Sequence, residues 1–452
     1  MVTDQISDFH SWYDERARQH EYEVTKAPLE SLGGWRIDGD TGDVVHETGR
    51  FFSVRGLHAK TAARGPGEWS QPIIVQPEIG ILGIVATVAR GEVHFLMQAK
   101  MEPGNINRIQ LSPTVQATRS NYQKVHKGKD VPYLDYFRPP RHGGWVYDAL
   151  QSEQGSWFLA KRNRNVIVEI DEQVPAQDDF RWVSLTEMSA LLREPNLVNM
   201  DARTVLSGLP FLLSGLGRVS GLGTELSGGR VERARHSTSE LLSWFTEAKS
   251  RHEIERRLVP LGELPDWSLR GGEIVHREGK HFAVIGVDVA ASGREVARWS
   301  QPLFEPQGRG VIGFLGRYID GTFHVLVRAE AEAGTHDTVE MAPTVSCIPD
   351  NYTGSLAAYR PAFLDDLLGA PESRTLVDVV HSEEGGRFYH AENRYLIVDV
   401  GEDFDLDVDD DFCWMTLSQV TSFIRHGNHV NVAARCLMSC IAGEKATLAA
   451  AV

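Results

Sequence analysis

One run of the chain carries the side-chain types that proton transfer requires. Residues 93–102 alternate between apolar and polar positions, as a β-strand with one polar face does. The polar face of that strand holds His94, Leu96, Gln98, Lys100 and Glu102. Imidazole, ammonium and carboxylate groups in one line can exchange protons and hold an anion. An ordinary solvated strand face is the alternative interpretation.

A second polar run follows along the chain. Ser112, Thr114, Gln116 and Thr118 alternate with other residues, so their side chains can face a single ligand. Hydroxyl and amide groups suit a sugar ring or the edge of a pyrimidine. The run therefore predicts a substrate-binding surface, with a polar edge strand as the alternative.

The segment 119–141 is basic, within a chain whose formal net charge is −16. Such a chain repels nucleic acid and anionic membranes, so we expect neither as a partner. A phosphate-bearing ligand would need a local basic pocket, and this segment is the natural place for a diphosphate. A solvated loop is the alternative. Its basic residues are Arg119, Lys124, Lys127, Lys129, Arg138 and Arg141.

Aromatic residues are interleaved with these basic ones and could stack on a nucleotide base. They are Tyr122, Tyr133, Tyr136 and Phe137. The matching segment of the second half, 349–371, has only Arg360 against three aspartates. This asymmetry predicts that the first half carries the productive site.

The matching halves are visible as an internal repeat. Trp69-Ser-Gln-Pro72 recurs as Trp299-Ser-Gln-Pro302, and Pro113-Thr-Val115 recurs as Pro343-Thr-Val345, each 230 residues later. Further matches follow in the same order, with a shift of 232 near the ends of the halves, where residues 199–203 match 431–435. Ordered matches at a near-constant shift indicate a duplication, and a period this long indicates two domains, each large enough for its own core. The second copy of the polar strand face holds His324, Leu326, Arg328, Glu330 and Glu332. Its recurrence favours the wall of a polar pocket over a merely solvated face.

The second half also contains a charged cluster at 381–387, followed by Asn393-Arg394. Glu383 and Arg387 in this cluster, together with Arg394, are candidate ligand contacts. Glu383 matches Glu153 in the first half, so an ion pair internal to each domain is an equally good interpretation.

The order of elements predicts the fold class and the domain boundaries. Each half begins with an amphipathic helix, continues with short strands and closes with two helices, which is an α+β pattern. Nothing supports a doubly wound dinucleotide-binding sheet. We predict a first domain at 1–206, a flexible Gly/Ser/Arg-rich linker at 207–236 and a second domain at 237–452.

Composition and missing motifs narrow the class of protein. The chain has four cysteines, no secretory signal and no apolar run of about 18 residues, which predicts a cytoplasmic protein. The sequence holds no CxxC pair, HExxH motif, P-loop or GxSxG elbow. We therefore expect neither a metal nor a cofactor.

Five blocks together resemble the sugar-nucleotide 2,3-dehydratases of deoxysugar biosynthesis, and the resemblance covers nearly the whole chain. The blocks are Gln71–Gly80, Leu96–Asn105, Gln110–Thr118, Pro132–Phe137 and Ser382–Phe388. The resemblance implies dTDP-4-keto-6-deoxyglucose as the substrate and a 3,4-diketo-2,6-dideoxy sugar nucleotide as the product. It also implies a homodimer, and a tandem duplication of a Nudix-hydrolase-like domain in which helices flank a mixed sheet. A 3-ketoreductase or an aminotransferase would consume the labile product.

The sequence departs from true Nudix hydrolases, because their GX5EX7REXXEEXG box is missing. The stretch Glu383-Glu384-x-Gly386 matches only the end of that box. Metal-dependent diphosphate hydrolysis is therefore the weaker alternative, and a non-catalytic sugar-nucleotide binding protein is another.

The dehydration needs a base at C3, an acid at the C2 hydroxyl and a donor at the C4 oxygen. We expect Glu102 or His94 as the base, and Lys100 as the group that stabilises the enolate. Tyr122 or His126 would protonate the departing hydroxyl. The predicted substrate contacts are Gln98, Ser112, Thr114, Gln116, Arg119, Lys124, Tyr133, Arg138, Arg328, Glu383, Arg387 and Arg394. Among these, Ser112, Thr114 and Gln116 would hold the sugar and base, and Arg138 or Lys124 the diphosphate.

Overall fold

A computed structural model describes residues 2–61, 67–118, 131–140, 142–171, 173–215, 232–292 and 296–443. The predicted α+β class is confirmed: each repeat contains helices and mixed sheets. No helix within the described ranges is both long and apolar enough to span a membrane.

The first repeat contains twelve strands within the part of the chain that the structure describes. They are β1 Tyr22–Ala27, β2 Trp35–Ile37, β3 Val44–His46, β4 Ser53–Thr61, β5 Glu68–Val75, β6 Gly80–Ala89, β7 Glu92–Met101, β8 Ile109–Ser112, β9 Val115–Ala117, β10 Gly144–Ser152, β11 Arg162–Ile170 and β12 Phe180–Ser184.

The second repeat follows the same order. Its strands are β13 Ile254–Val259, β14 Trp267–Arg270, β15 Glu273–His276, β16 Phe282–Ala291, β17 Arg298–Pro306, β18 Gly310–Ile319, β19 Thr322–Glu330, β20 Glu340–Ala342, β21 Val345–Cys347, β22 Thr375–Ser382, β23 Glu392–Asp399 and β24 Phe412–Thr416. The α-helices of both repeats are α1 Val2–Gln19, α2 Leu185–Leu191, α3 Met200–Leu206, α4 Leu209–Gly215, α5 Thr238–Arg251, α6 Leu364–Leu368, α7 Leu417–Ile424 and α8 Val432–Gly443.

Local sequence signals fix where three helices begin. Ser184, Ser237 and Thr416 each accept a hydrogen bond from the backbone N–H three residues on, and the Glu or Gln there bonds back. These are capping boxes, and each satisfies backbone donors that the first turn leaves without a partner.

Each repeat forms a seven-stranded mixed sheet. In the first, β6 is parallel to β11 and antiparallel to β7, and β7 also pairs with β8 and β12. In the second, β18 is parallel to β23 and antiparallel to β19. The strand that carries the predicted polar face, β7, thus lies inside a sheet, which holds its side chains in fixed positions.

The smaller, five-stranded sheets exchange a strand between repeats. β1 of the first repeat pairs antiparallel with β16 of the second, aligning Val24 with Val289. β13 of the second repeat pairs in the same way with β4 of the first, aligning Leu258 with Leu57. Each small sheet therefore needs a strand from the other repeat to be complete.

The packing gives each repeat an apolar cluster of its own and adds clusters that the two repeats share. The largest apolar cluster contains side chains from both seven-stranded sheets, and a second cluster joins the two small sheets. Arg203 and Arg435 are fully buried at equivalent positions, and each reaches across: Arg203 donates to the Ser382 carbonyl and Arg435 to the Ser152 carbonyl. The repeats are therefore related like the subunits of a two-fold dimer.

The predicted linker begins with ordered structure. Residues 209–215 form α4, and Leu209, Leu212 and Leu213 are buried in the shared core. At its far end, the Arg233 and Arg235 amides donate to side chains of the second repeat. The remainder, 216–231, lies outside the described residues.

Candidate active site

A cavity of about 710 Å³ lies where the two repeats meet, and we call it the first cavity. The end of β7, strand β9 and the N-terminus of α3 line one side, and the loop 384–387 of the second repeat lines another. The small sheets complete it through β2, β3 and β17. Its charged lining residues are Arg50, Glu78, Lys100, Glu102, Lys161, Asp201, Arg298, Glu384 and Arg387.

The structure brings three predicted residues of the first repeat together in this cavity. Lys100 Nζ donates to the Gln116 carbonyl at 3.0 Å, and Gln116 Nε2 donates to Glu102 Oε1 at 2.8 Å. The other carboxylate oxygen, Glu102 Oε2, is buried and accepts no hydrogen bond from any residue in the described ranges. A carboxylate oxygen left in this way is a good proton acceptor for a ligand in the cavity.

The second repeat adds Glu384 and Arg387. Arg387 Nε donates to Gln76 Oε1 at 3.1 Å, and its guanidinium lies 4.0 Å from the centroid of the Phe52 ring. Burial raises the pKa of Glu384 to about 7, although Arg387 opposes this rise. A carboxyl group with that pKa can gain or lose a proton near neutral pH. The cavity therefore depends on side chains from both repeats.

Gly386, in the loop 384–387, lies between two carboxylates, one from each repeat. A Cβ on Gly386 would lie 3.0 Å from Glu384 Oε1 and 3.4 Å from Glu102 Oε1. Glu102 directly follows β7 of the first repeat, whereas Glu384 comes from the second. The missing side chain thus leaves the space that lets the two acids approach one another.

Sequence reasoning missed Asp201, Lys161 and Glu384 as site residues. Asp201 and Lys161 are 3% and 6% exposed, and both line the cavity. Burial lowers the pKa of Lys161, while the carboxylates of Glu153 and Glu384 oppose that fall. Buried charged groups need partners or a function, but burial is not visible in the sequence.

The comparison of the two repeats could have found these residues. In the second repeat, glutamate stands opposite Lys100 and alanine stands opposite both Lys161 and Asp201. In the first repeat, Gln154 stands opposite Glu384 and Trp157 opposite Arg387. Five charged groups of the first cavity thus differ between the repeats, whereas Glu102 has a glutamate, Glu332, at the equivalent position.

The pseudo-symmetric position holds a second cavity of about 590 Å³. Among the residues that the structure describes, seven acidic side chains and a single Lys or Arg, Arg277, line it, whereas five Lys or Arg side chains and four acidic ones line the first cavity. Burial raises the pKa of Glu332 in the second cavity to about 8, and Glu330 adds to the rise. The first cavity is therefore the better electrostatic match for a diphosphate.

Several predicted residues of the first repeat lie outside the first cavity. His94 is six residues from Lys100 along β7, about 20 Å in a strand, and its Nδ1 contacts the Glu92 carbonyl oxygen. Ser112 and Thr114 are buried and donate to the Gln98 and Leu96 carbonyls, so they join neighbouring strands.

Tyr133 and Arg138 do not line the first cavity either, and neither does Gln98. The Tyr133 hydroxyl donates to the Pro175 carbonyl at 2.8 Å and accepts from the Gln177 amide at 3.0 Å. Arg119, Tyr122, Lys124 and His126 lie outside the described residues.

The remaining predicted contacts belong to the second repeat. Arg394 donates twice to the Asp378 carboxylate, at 2.8 and 2.6 Å, and lines neither cavity. Arg328 contacts Glu330 at 3.2 Å. Glu383 lines the second cavity and accepts hydrogen bonds from Asn393, Tyr395 and Gln154. Arg394 thus forms an ion pair within its own repeat, whereas Glu383 bonds only neutral side chains among these partners, one of them from the first repeat.

A duplicated α+β chain with one cavity rich in carboxylates, lysines and arginine defines an acid–base enzyme rather than a hydride-transfer enzyme built on a dinucleotide sheet. The model of the NDP-hexose 2,3-dehydratase family matches residues 6–209 and again residues 238–441. The chain belongs to this family, and the resemblance predicted from its sequence is confirmed.

Three relatives carry the same enzyme name, dTDP-4-dehydro-6-deoxy-alpha-D-glucopyranose 2,3-dehydratase. The protein from Streptomyces violaceoruber is 52% identical over 444 residues, which cover 97% of each chain. Those from Saccharopolyspora spinosa and Amycolatopsis orientalis are each 46% identical over 439 residues, covering 96% of this chain and 90% and 89% of theirs. The chain is therefore similar to dehydratases over nearly its whole length.

Proposed function

We propose that this chain removes water across C2 and C3 of dTDP-4-keto-6-deoxyglucose, and that the reaction takes place in the first cavity. The product is the 3,4-diketo-2,6-dideoxy sugar nucleotide. The observation that carries the proposal is the meeting of Lys100 and Glu102 of the first repeat with Glu384 and Arg387 of the second in one cavity. The similarity to the three dehydratases supports the substrate.

The chemistry requires only proton transfer and charge stabilisation. The C4 ketone acidifies the proton on C3, so a base can remove it and leave an enolate. The enolate then expels the C2 hydroxyl as water, with a proton supplied by an acid. The resulting enol gains a proton at C2 and loses the one on the C3 oxygen, which gives the 3-ketone. General acid–base catalysis contributes roughly 10²–10⁴-fold to steps of this kind.

Of the two predicted bases, Glu102 is the one that lines the cavity, and its buried Oε2 would accept the C3 proton. Lys100, two residues earlier at the end of β7, lines the same cavity, and its ammonium group would stabilise the C4 enolate oxygen. The sugar ring would then lie over the end of β7, with Gln116 beside it.

The nucleotide fits the outer part of the cavity. Arg50 and Arg298 are exposed at its lining and can meet the diphosphate, while Arg387 lies deeper. The exposed ring of Phe51 also lines the cavity and offers a face on which the base can stack. These cations take the role that the sequence assigns to Arg138 or Lys124.

Finer features of the family extend this proposal. The seven-stranded mixed sheets flanked by helices support a tandem Nudix-hydrolase-like fold. The reactive diketone product calls for a following enzyme that reduces or aminates C3, either a 3-ketoreductase or an aminotransferase. The homodimer and the cytoplasmic location remain predictions from the sequence.

One assay tests the function against its alternatives. The purified chain is incubated with dTDP-4-keto-6-deoxyglucose and EDTA, and the product is trapped with a 3-ketoreductase and NADPH. A trapped 2-deoxy sugar nucleotide is the expected result. Release of nucleoside monophosphate only after metal is added would favour the hydrolase, and unchanged ligand would favour a binding protein.

A further inference from the structure

We propose that Asp201 is the general acid, held as a neutral carboxylic acid that protonates the departing C2 hydroxyl. This inference rests on the proposed function, because it assigns the acid for that reaction. It fills a role for which the sequence offered Tyr122 or His126, which lie outside the described residues.

The position of Asp201 suits this role. It lies in the first turn of α3, lines the first cavity and is 3% exposed. Its Oδ1 is buried and has no hydrogen-bond partner in the described parts of the chain. A buried carboxyl oxygen without a partner is costly to maintain, and a ligand hydroxyl in the cavity would supply the missing hydrogen bond.

A purely structural role at the helix terminus does not account for Asp201. The cap of α3 is Asn199, whose side chain accepts from the Ala202 amide at 2.8 Å. The equivalent helix of the second repeat, α8, is preceded by Asn431, which accepts from the Ala434 amide at 2.9 Å. That helix has alanine, Ala433, where α3 has Asp201, so the fold forms this turn without the acid.

The surroundings favour the protonated form. Burial raises the pKa of Asp201 well above its ordinary value, and three further carboxyl groups, Glu384, Glu153 and Glu102, raise it further. Lys100 opposes the rise. Neighbouring like charges cannot all ionise easily, so burial and the nearby carboxyl groups favour a proton on Asp201. Glu102 can then act as the base while Asp201 is the acid, which is how paired carboxyl groups divide these roles.

The proton balance closes over one turnover. Glu102 takes the C3 proton and Asp201 gives its proton to the C2 oxygen, so one water leaves. In the tautomerisation, Glu102 returns its proton to C2, and Asp201 takes the proton from the C3 oxygen. Both carboxyl groups end in the protonation states in which they began, and no further reactant is needed.

The test separates removal of the C3 proton from loss of the hydroxyl. Wild-type chain and Asp201→Asn are incubated with substrate in D₂O, and NMR follows both deuterium uptake at C3 and elimination. We expect Asp201→Asn to exchange the C3 proton within a few-fold of the wild-type rate of proton removal. Its elimination rate should fall by roughly 10²–10⁴-fold, because the amide has no proton to give.

Elimination by Asp201→Asn within a few-fold of wild type would overturn the proposal. Loss of both exchange and elimination in a folded variant would also overturn it, since Asp201 would then serve proton removal or structure. If wild type shows neither exchange nor elimination, the proposed function itself fails. Glu340→Gln is a matched control: Glu340 is also a buried carboxyl with a raised pKa, it lies outside both cavities, and its counterpart in the first repeat is Gln110.

Discussion

Replacing Lys100 with methionine tests whether the first cavity stabilises an enolate. Methionine has a similar length and no charge, and Lys100 is half-buried, so the side chain can be replaced without opening a large cavity in the core. The change removes the hydrogen bond from Nζ to the Gln116 carbonyl. A bond of this kind contributes about 0.5–1.5 kcal/mol to folding, which a folded enzyme of this size tolerates.

The effect on catalysis should be larger. Two unit charges about 4 Å apart attract by about 4 kcal/mol at an effective dielectric constant of about 20. Removing a single donor from an oxyanion site costs about 2.7–4 kcal/mol, or roughly 10²–10³-fold in kcat. Since both magnitudes agree, we expect Lys100→Met to lower kcat by roughly 10²–10³-fold with little change in KM.

The trapping assay with 3-ketoreductase and NADPH measures this rate directly. Glu330→Gln is the matched control, because Glu330 occupies the equivalent position in the second cavity. Its turnover should stay within a few-fold of wild type. A Lys100→Met enzyme of wild-type activity would refute the enolate assignment, and a large loss in Glu330→Gln would refute the placement of the reaction in the first cavity.

Three further predictions follow from the structure. Gly386→Ala should lower turnover by roughly 10²-fold with unchanged circular dichroism, because the new Cβ would lie 3.0 Å from Glu384 Oε1 and 3.4 Å from Glu102 Oε1 and would push the two acids apart. Turnover at the wild-type rate would show that the two acids need not approach one another. Arg435→Met should lower the free energy of unfolding by about 3–5 kcal/mol in urea titrations, because the buried guanidinium donates to Thr204, Val430 and Ser152. As a control, replacing the exposed Arg270 with methionine should change the free energy of unfolding by less than about 0.5 kcal/mol. Equal losses in the two variants would contradict the role of Arg435. The folded-state pKa of Glu384, about 7, lies above its unfolded value, so the contribution of Glu384 to stability is lost as pH rises from about 4.5 to about 7. Glu384→Gln should flatten this pH dependence of stability in thermal unfolding. An unchanged slope would contradict the raised pKa of Glu384.

The sequence predicted the local elements because their signals are local. The three capping boxes are Ser or Thr followed three residues later by Glu or Gln, a pattern confined to one helical turn, and the residues of β7 alternate between its two faces as the two-residue period requires. The exchange of β1 and β13 could not be read in this way. Either strand could pair within its own repeat or with the other, and only the packing of the whole chain decides between them.

The sequence predicted the site residues that neighbouring strands of one sheet carry, and it missed those that other parts of the chain bring to the cavity. Lys100, Glu102 and Gln116 share a cavity because β7 and β9 belong to one sheet. Asp201 and Glu384 reach it from α3 and from the other repeat, which no spacing along the chain indicates. Periodicity also placed His94 and Lys100 on one face without revealing that the cavity covers only the end of the strand.

The most direct test is a crystal structure of Asp201→Asn with dTDP-4-keto-6-deoxyglucose bound, since this variant should hold the substrate without eliminating water. We predict the C4 carbonyl oxygen within hydrogen-bonding distance of Lys100 Nζ, C3 facing Glu102 and the C2 hydroxyl facing residue 201. A sugar ring bound away from the end of β7, or bound only in the second cavity, would contradict the account.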